Sequence, residues 1–199
     1  IVKRFFLLLA TSGFFSCFSL AEESSSPKGS EIPTFGPIGG GAIYAGLKKG
    51  DSRETVLQKL NQAKFREIIE EKEKGLIRCA AKLNGLRYDL VCRFEEEHLK
   101  LCVLEGRKGW QFSFYDEILE PQWNNLRQSM VKAYGAKRST AAFPPIDKVP
   151  LNDPGGVITD SWDLKDRIVV LVVQSFEIKD CCTNRLIEYT TCLALIQPK

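Results

Sequence analysis

Histidine is almost missing from this chain: one residue, His98, in 199. A Ser-His-Asp or Cys-His catalytic set would have to be built on that single imidazole. It stands in an acidic turn behind Glu95, Glu96 and Glu97. There, simple solvation competes with a role as metal ligand or raised-pKa base. No Gly-x-Ser-x-Gly elbow occurs, which removes the usual strand-turn-helix hydrolase nucleophile. Cys-x-x-Cys and His-x-x-x-His spacings are also absent, so neither a metal centre nor a cofactor is predicted. Gly39-Gly40-Gly41 has no strand before it and no Gly-Lys-Ser/Thr after it, so it is not read as a phosphate loop. An excess of one charge sign is missing too. The chain carries 28 basic and 25 acidic residues, which gives no footprint for nucleic acid or an anionic membrane. After the N-terminus no apolar run approaches the roughly 20 residues of a spanning helix; 168–173 is only strand-length.

What is present begins with the N-terminus. Lys3 and Arg4 precede an apolar run over 5–9 that resumes at Phe14, Phe15 and Phe18 and closes on Ser19-Leu20-Ala21. A basic start, a short apolar core and a small-residue exit predict a secretory signal peptide over 1–21. The protein is therefore expected to be periplasmic or secreted, with no integral span after cleavage. A retained anchor is disfavoured by Thr11, Ser12, Gly13, Ser16 and Ser19. Lipidation at Cys17 is the intermediate option, against which Phe14 and Phe15 occupy the place of a small aliphatic pair. Removing the leader takes away two basic residues and brings the charge close to neutral. About 180 residues remain, enough for one domain or two small units.

Six cysteines then remain: Cys79, Cys92, Cys102, Cys181, Cys182 and Cys192. An even number in an exported chain favours disulfides, in a pairing that sequence does not choose. With Cys182 at a hairpin turn and Cys192 ten residues along the returning strand, the two would stand about 33 Å apart. That is far beyond disulfide reach, so Cys192 is expected to find a mid-strand partner. The alternative is buried free thiols packed as small hydrophobes. The adjacent Cys181-Cys182 pair fits two separate bridges, or one bridge and one thiol. A strained vicinal disulfide, a redox switch or a metal clip are the rarer options.

Along the chain, 22–42 reads as a disordered linker rich in Ser, Pro and Gly. A helix is expected from Asp51, which can cap with Glu54 three residues on, and Val56, Leu57 and Leu60 form its buried stripe. Residues 65–74 are ambiguous. Strands at 76–83 and 86–95 flank Asn84-Gly85, a strong hairpin signal. A third strand is expected at 99–104 and a fourth at 110–115. A second helix starts at Pro121, carries Leu119, Trp123, Leu126, Met130 and Tyr134 at helical spacing, and stops at Gly135. After a proline-rich loop, strands at 157–164, 167–178 and 185–196 close the pattern. The prediction is an α+β protein of two helix–antiparallel-meander halves, 43–116 and 117–199, with helices packed on one face of the sheet or sheets.

Gly46-Leu47-Lys48-Lys49-Gly50-Asp51-Ser52, followed by Val56 and Leu60, resembles the glycine-bracketed helix opening of proteins like the beta-lactamase-inhibitor protein. Small outer-membrane assembly lipoproteins of the SmpA/OmlA type share that opening. In the second half, Leu126 to Gly135, Thr159-x-x-Trp162 and Ile187-x-Tyr189 look like a pattern common in exported bacterial proteins. The resemblance implies helix-plus-meander units used for protein binding and envelope assembly. The chain departs from the lipoproteins in its weak lipidation signal, its six mature cysteines and its two units. No binding residue carries over.

The expected function is therefore a non-catalytic exported protein that meets a protein partner through a sheet face. Trp110, Phe112, Tyr115 and Trp162 are the candidate binding residues, as an exposed aromatic patch; core packing between helix and sheet is the competing role. An inhibitor of a secreted or periplasmic enzyme is a narrower form of this reading. The alternative of another class is a hydrolase with paired carboxylates between the halves, for which Glu95 to Glu97 and Asp160 with Asp163 are the nearest material.

Overall fold

A computed structural model describes residues 35–36, 38–135 and 139–199, apart from the side chains of Phe112, Ser139 and Thr140. The expected leader, Cys17 and most of the linker lie outside the described residues. Among the described residues ten strands and three α-helices follow in order: β1 (Ala42–Tyr44), β2 (Leu47–Lys48), α1 (Arg53–Gln62), β3 (Arg66–Glu71), β4 (Leu76–Leu83), β5 (Leu86–Glu95), β6 (His98–Glu105), the single turn α2 (Phe112–Phe114), α3 (Glu120–Tyr134), β7 (Ser139–Thr140), β8 (Val157–Asp163), β9 (Arg167–Lys179) and β10 (Leu186–Pro198).

The α+β architecture is as expected, and the two halves share one sheet. Its eight strands run β3-β4-β5-β6-β10-β9-β8-β7, and β1 with β2 makes a small separate pair. The halves join where β10 lies antiparallel to β6, Ile196 opposite Cys102 and Leu193 opposite Glu105. Alternation along the strands sends Ile77, Cys79, Leu90, Cys92, Leu104, Leu171, Val173 and Ala194 to one face, where they pack with Val56, Leu60, Trp123, Leu126 and Met130 of the helices. The other face carries no helix among the described residues. Leu76, Val91, Val103, Val172, Leu193 and Leu195 form a second apolar cluster there.

Local chemistry fixes the main hairpin. Asn84 and Gly85 both take positive φ, 49° and 85°, as a two-residue turn between right-twisted strands requires. Asn84 Nδ2 also donates to Ser129 Oγ at 2.9 Å, tying the turn to α3. Gly135 ends α3 with φ 76°.

Four local expectations change. The α1 cap is Ser52, whose hydroxyl accepts from the Thr55 amide. Asp51 instead accepts from the Lys48 amide and pairs with Lys59 at 2.7 Å. Residues 66–71 form an edge strand, β3. The expected strand over 110–115 is instead α2 running through a π-turn, Tyr115–Leu119, into α3. There Tyr115 and Leu119 enter the core, which decides a short aromatic run that periodicity leaves open. Finally, the end of the expected linker is tied down. Phe35 bridges to Tyr44 and packs edge-on against it, with ring centroids 5.2 Å apart. The buried Arg167 guanidinium donates to the Gly36 and Ala42 carbonyls at 3.2 and 2.7 Å.

Candidate functional site

Of the four aromatic candidates, two are core residues. Trp162 is 1% exposed and donates its indole N–H to the Gly135 carbonyl at 3.2 Å. A register shift between Ile158 and Asp160 turns Ile158 to the helix-free cluster while Trp162 stays with the helix-side core. Tyr115 is 3% exposed. Its hydroxyl donates to the Pro144 carbonyl at 2.7 Å, and its ring packs on Phe143. Neither can contribute to an exposed patch. The Phe112 side chain lies outside the described ones. Trp110 alone keeps the expected character, with 60% of its surface exposed.

Trp110 is set by its neighbour. Gly109 and Thr190 exchange both backbone hydrogen bonds, at 3.2 and 2.8 Å, extending the line of β6 along β10. A Cβ at Gly109 would meet ring atoms of Phe114 at 2.2–2.4 Å, so only glycine lets the chain pass there. Trp110 and Tyr189 are the residues next to that bridge on the two segments. Tyr189 stands opposite Phe176 across β9 and β10, its ring near-parallel at 17° with centroids 6.5 Å apart. Lys108 places its ammonium 5.5 Å from the Phe176 centroid, within cation–π range. Phe176 and Tyr189 have the strand parity of Val172 and Leu193, which places them on the helix-free face.

That face has two zones. The inner zone, from Val91 and Val103 to Leu193, Leu195 and Val172, is closed, with 0–6% residual exposure. Charge borders it: Arg78 meets Glu105 at 3.1 Å and Asp89 at 3.2 Å. Arg93 stands beside this group with a buried Nε that has no hydrogen-bond partner among the described residues; burial lowers its pKa. The outer zone is open. The β8–β9 ladder runs only to Val157 opposite Val173, and the β6–β10 ladder covers only Leu193 to Ile196, extended by the Gly109–Thr190 bridge. The loop after Val149 flanks β9 further, Leu151 bridging Ser175 and Asn152 bonding Glu177, and beyond Glu177 and Glu188 the β9–β10 hairpin is a two-stranded arm. Leu186 on it is 63% exposed. Phe176, Tyr189 and Lys108 were not found from sequence; the signal was the strand parity of Phe176 opposite Tyr189, which needs the hairpin register.

The cysteines correct another expectation: none of the six is in a disulfide. Cys79, Cys92, Cys102 and Cys192 lie buried on the helix side of the sheet and act as small apolar packing. Burial raises the Cys79 and Cys192 thiols. Cys92 faces Cys102 across β5 and β6; a hydrogen bond from Cys102 and burial both raise it. Such thiols are poor nucleophiles. Cys192 has no disulfide partner, mid-strand or otherwise, and packs as a buried thiol. Cys181 and Cys182 are exposed at the tip of the β9–β10 arm, with sulfurs 3.6 Å apart.

The material for catalysis is dispersed. His98 opens β6 and meets the Gly50 carbonyl through Nδ1 at 3.1 Å. Glu97 pairs with Arg53 and Glu95 with Lys100. Asp160 is buried beside Arg127, while Asp163 pairs with Lys199 at the far end of β8. An open groove of about 500 Å³ is lined by Tyr115, Asp116, Glu120, Phe143, Pro144 and Ile146. It holds two carboxylates, but Asp116 is exposed. Among the described residues no group of three or more His, Cys, Asp or Glu side chains is placed to hold a metal, and no helix is long and apolar enough to cross a membrane. No family model, curated protein or solved structure matches this chain.

Proposed function

We propose that this is an exported, non-catalytic binding protein that meets a protein partner through the outer zone of its helix-free sheet face. The observation that carries the reading is the exposed Trp110, next in the chain to the Gly109–Thr190 bridge, with the Phe176–Tyr189 pair following on the same stretch of the β9–β10 hairpin. Large aromatics set on a rigid edge are the usual anchors of protein interfaces. Lys108, whose ammonium also pairs with Glu105 at 3.1 Å, borders this patch. The inner zone already excludes water and offers little further apolar area, so binding energy has to come from the arm. Inhibition of a secreted or periplasmic enzyme is a special case of this mode, and the resemblance to inhibitor and envelope-assembly proteins agrees with it. The N-terminal segment supports export.

The test has two arms. A mature N-terminus at Glu22 in an extracytoplasmic fraction supports export; a cytoplasmic chain retaining residues 1–21 refutes it. For binding, envelope extracts are passed over the wild-type protein and over Trp110→Ala and Tyr189→Ala variants. The expected result is a partner held by the wild type and weakened by each variant by more than about 2 kcal/mol, or some 30-fold. Equal retention by a Trp110→Ala/Phe176→Ala/Tyr189→Ala variant overturns the assigned surface. Turnover of a glycan or ester panel that is lost on Asp116→Asn or Glu120→Gln would favour the hydrolase reading instead.

A further inference from the structure

We infer that the adjacent thiols of Cys181 and Cys182, at the tip of the β9–β10 arm, form a chelating site for a soft, thiophilic metal ion. Three observations converge. The sulfurs stand 3.6 Å apart, wide of the roughly 2.05 Å of a disulfide. They lie close to the ~3.8 Å bite of an ion with tetrahedral angles and metal–sulfur bonds near 2.3 Å. The tip is also fixed before any ion arrives. Asp180 Oδ1 accepts from the Cys182 amide at 3.2 Å and from the amide and hydroxyl of Thr183, each at 2.7 Å. The Asp180 amide donates to the Arg185 carbonyl at 2.8 Å, and the Asn184 amide donates back to Asp180 at 2.9 Å. Little backbone freedom is left to lose on binding, and only the two side chains have to settle. Lastly, of the six cysteines in the described part of the chain these two alone are exposed.

The ligand set decides the class of ion. Thiolates select soft ions such as Cu(I) and the zinc-group metals, whereas Mg²⁺ and Ca²⁺ require oxygen ligands. Two sulfurs on neighbouring residues enforce a bent sulfur–metal–sulfur angle. They leave the remaining coordination positions open to water or to a ligand from another molecule. On binding, each thiol releases its proton to solvent as its sulfur–metal bond forms, and no electron is transferred.

Cd(II) is the convenient probe, because its thiolate complexes absorb in the near ultraviolet. The full chain carrying Cys17→Ser is reduced, freed of reductant and titrated with Cd(II). A chromogenic thiol reagent counts the reactive sulfurs under native conditions. The expected result is a thiolate charge-transfer band complete by one equivalent, with two reactive thiols before Cd(II) and none after. Both signals should vanish in Cys181→Ser/Cys182→Ser and persist in Cys79→Ser. Chelator-buffered Cu(I) should displace Cd(II), while excess Mg²⁺ should not. A band that survives in the tip variant, thiols that stay reactive with Cd(II) present, or displacement by Mg²⁺ would each overturn the site. The melting curve of the tip variant shows that any loss is not unfolding.

Discussion

Arg167 shows how much one side chain can organise. It is 2% exposed and holds the 36–43 segment through backbone carbonyls while pairing with Asp166 at 2.7 Å. The Arg167 guanidinium, helped by the Gly39 amide, draws the Asp166 carboxyl down from 3.8 to about 2. A carboxyl lowered in the folded state adds stability that is complete above its unfolded value and is lost as pH falls through the folded one. The difference in melting temperature between wild type and Asp166→Asn should therefore be full above 3.8 and vanish near 2. Arg167→Met should cost about 3 kcal/mol, because it strands a carboxylate and several carbonyls, measured by denaturant unfolding. The tryptophans separate in the same assay. Trp162→Ala should cost about 3–5 kcal/mol as a core truncation, and Trp110→Ala should stay within about 0.5 kcal/mol as a surface change. Reversal of that order would undo the placement of both residues.

At the level of elements, legibility followed how local the deciding physics is. The β4–β5 hairpin was readable because Asn84-Gly85 allows one kind of turn. Helix α3 was readable from Leu126, Met130 and Tyr134 at regular spacing with Gly135 behind them. β3 was not, for a physical reason. It is an edge strand whose only apolar pair, Ile68 and Ile69, is consecutive and so has no period. Its ladder is broken between Arg66 and Ile69, with Glu67 at φ 55°. Charge and a bulge of this kind protect an edge from pairing with other chains, and they erase the strand signal at the same time. The α1 cap slipped by one residue because Asp51 and Ser52 are both competent caps. Ser52→Ala should cost about 1 kcal/mol, and Asp51→Asn distinctly less. The proposed aromatic surface differs from the set expected from sequence. Trp110 could be named, but Phe176 and Tyr189 come together only once the hairpin register is set, and Tyr115 and Trp162 were claimed by a core whose demand is tertiary.

The whole molecule is held together by the β6–β10 seam, which sequence order does not announce. Each half presents a strand that only the other half covers: without β10, the Cys102 and Leu104 strand has an open edge beside the core. A fragment of 43–116 should therefore show no cooperative unfolding transition, whereas the intact chain should melt in one step seen alike by circular dichroism and tryptophan fluorescence. Two coincident transitions in the isolated halves would refute this coupling. Reductant should leave the melting temperature unchanged, since no bridge crosses the sheet.

The position of β10 also sets a schedule. It is the last strand of the sheet to be synthesised, yet it lies in the interior, between β6 and β9. Until it leaves the ribosome, β6 and β9 have no common neighbour and the two apolar clusters cannot close. Closing them requires contacts between residues some ninety positions apart, the slow kind of contact in folding. The nascent chain therefore stays open until the sheet's last strand is made. Export, as proposed above, needs a chain that is still unfolded, and such a delay would serve it.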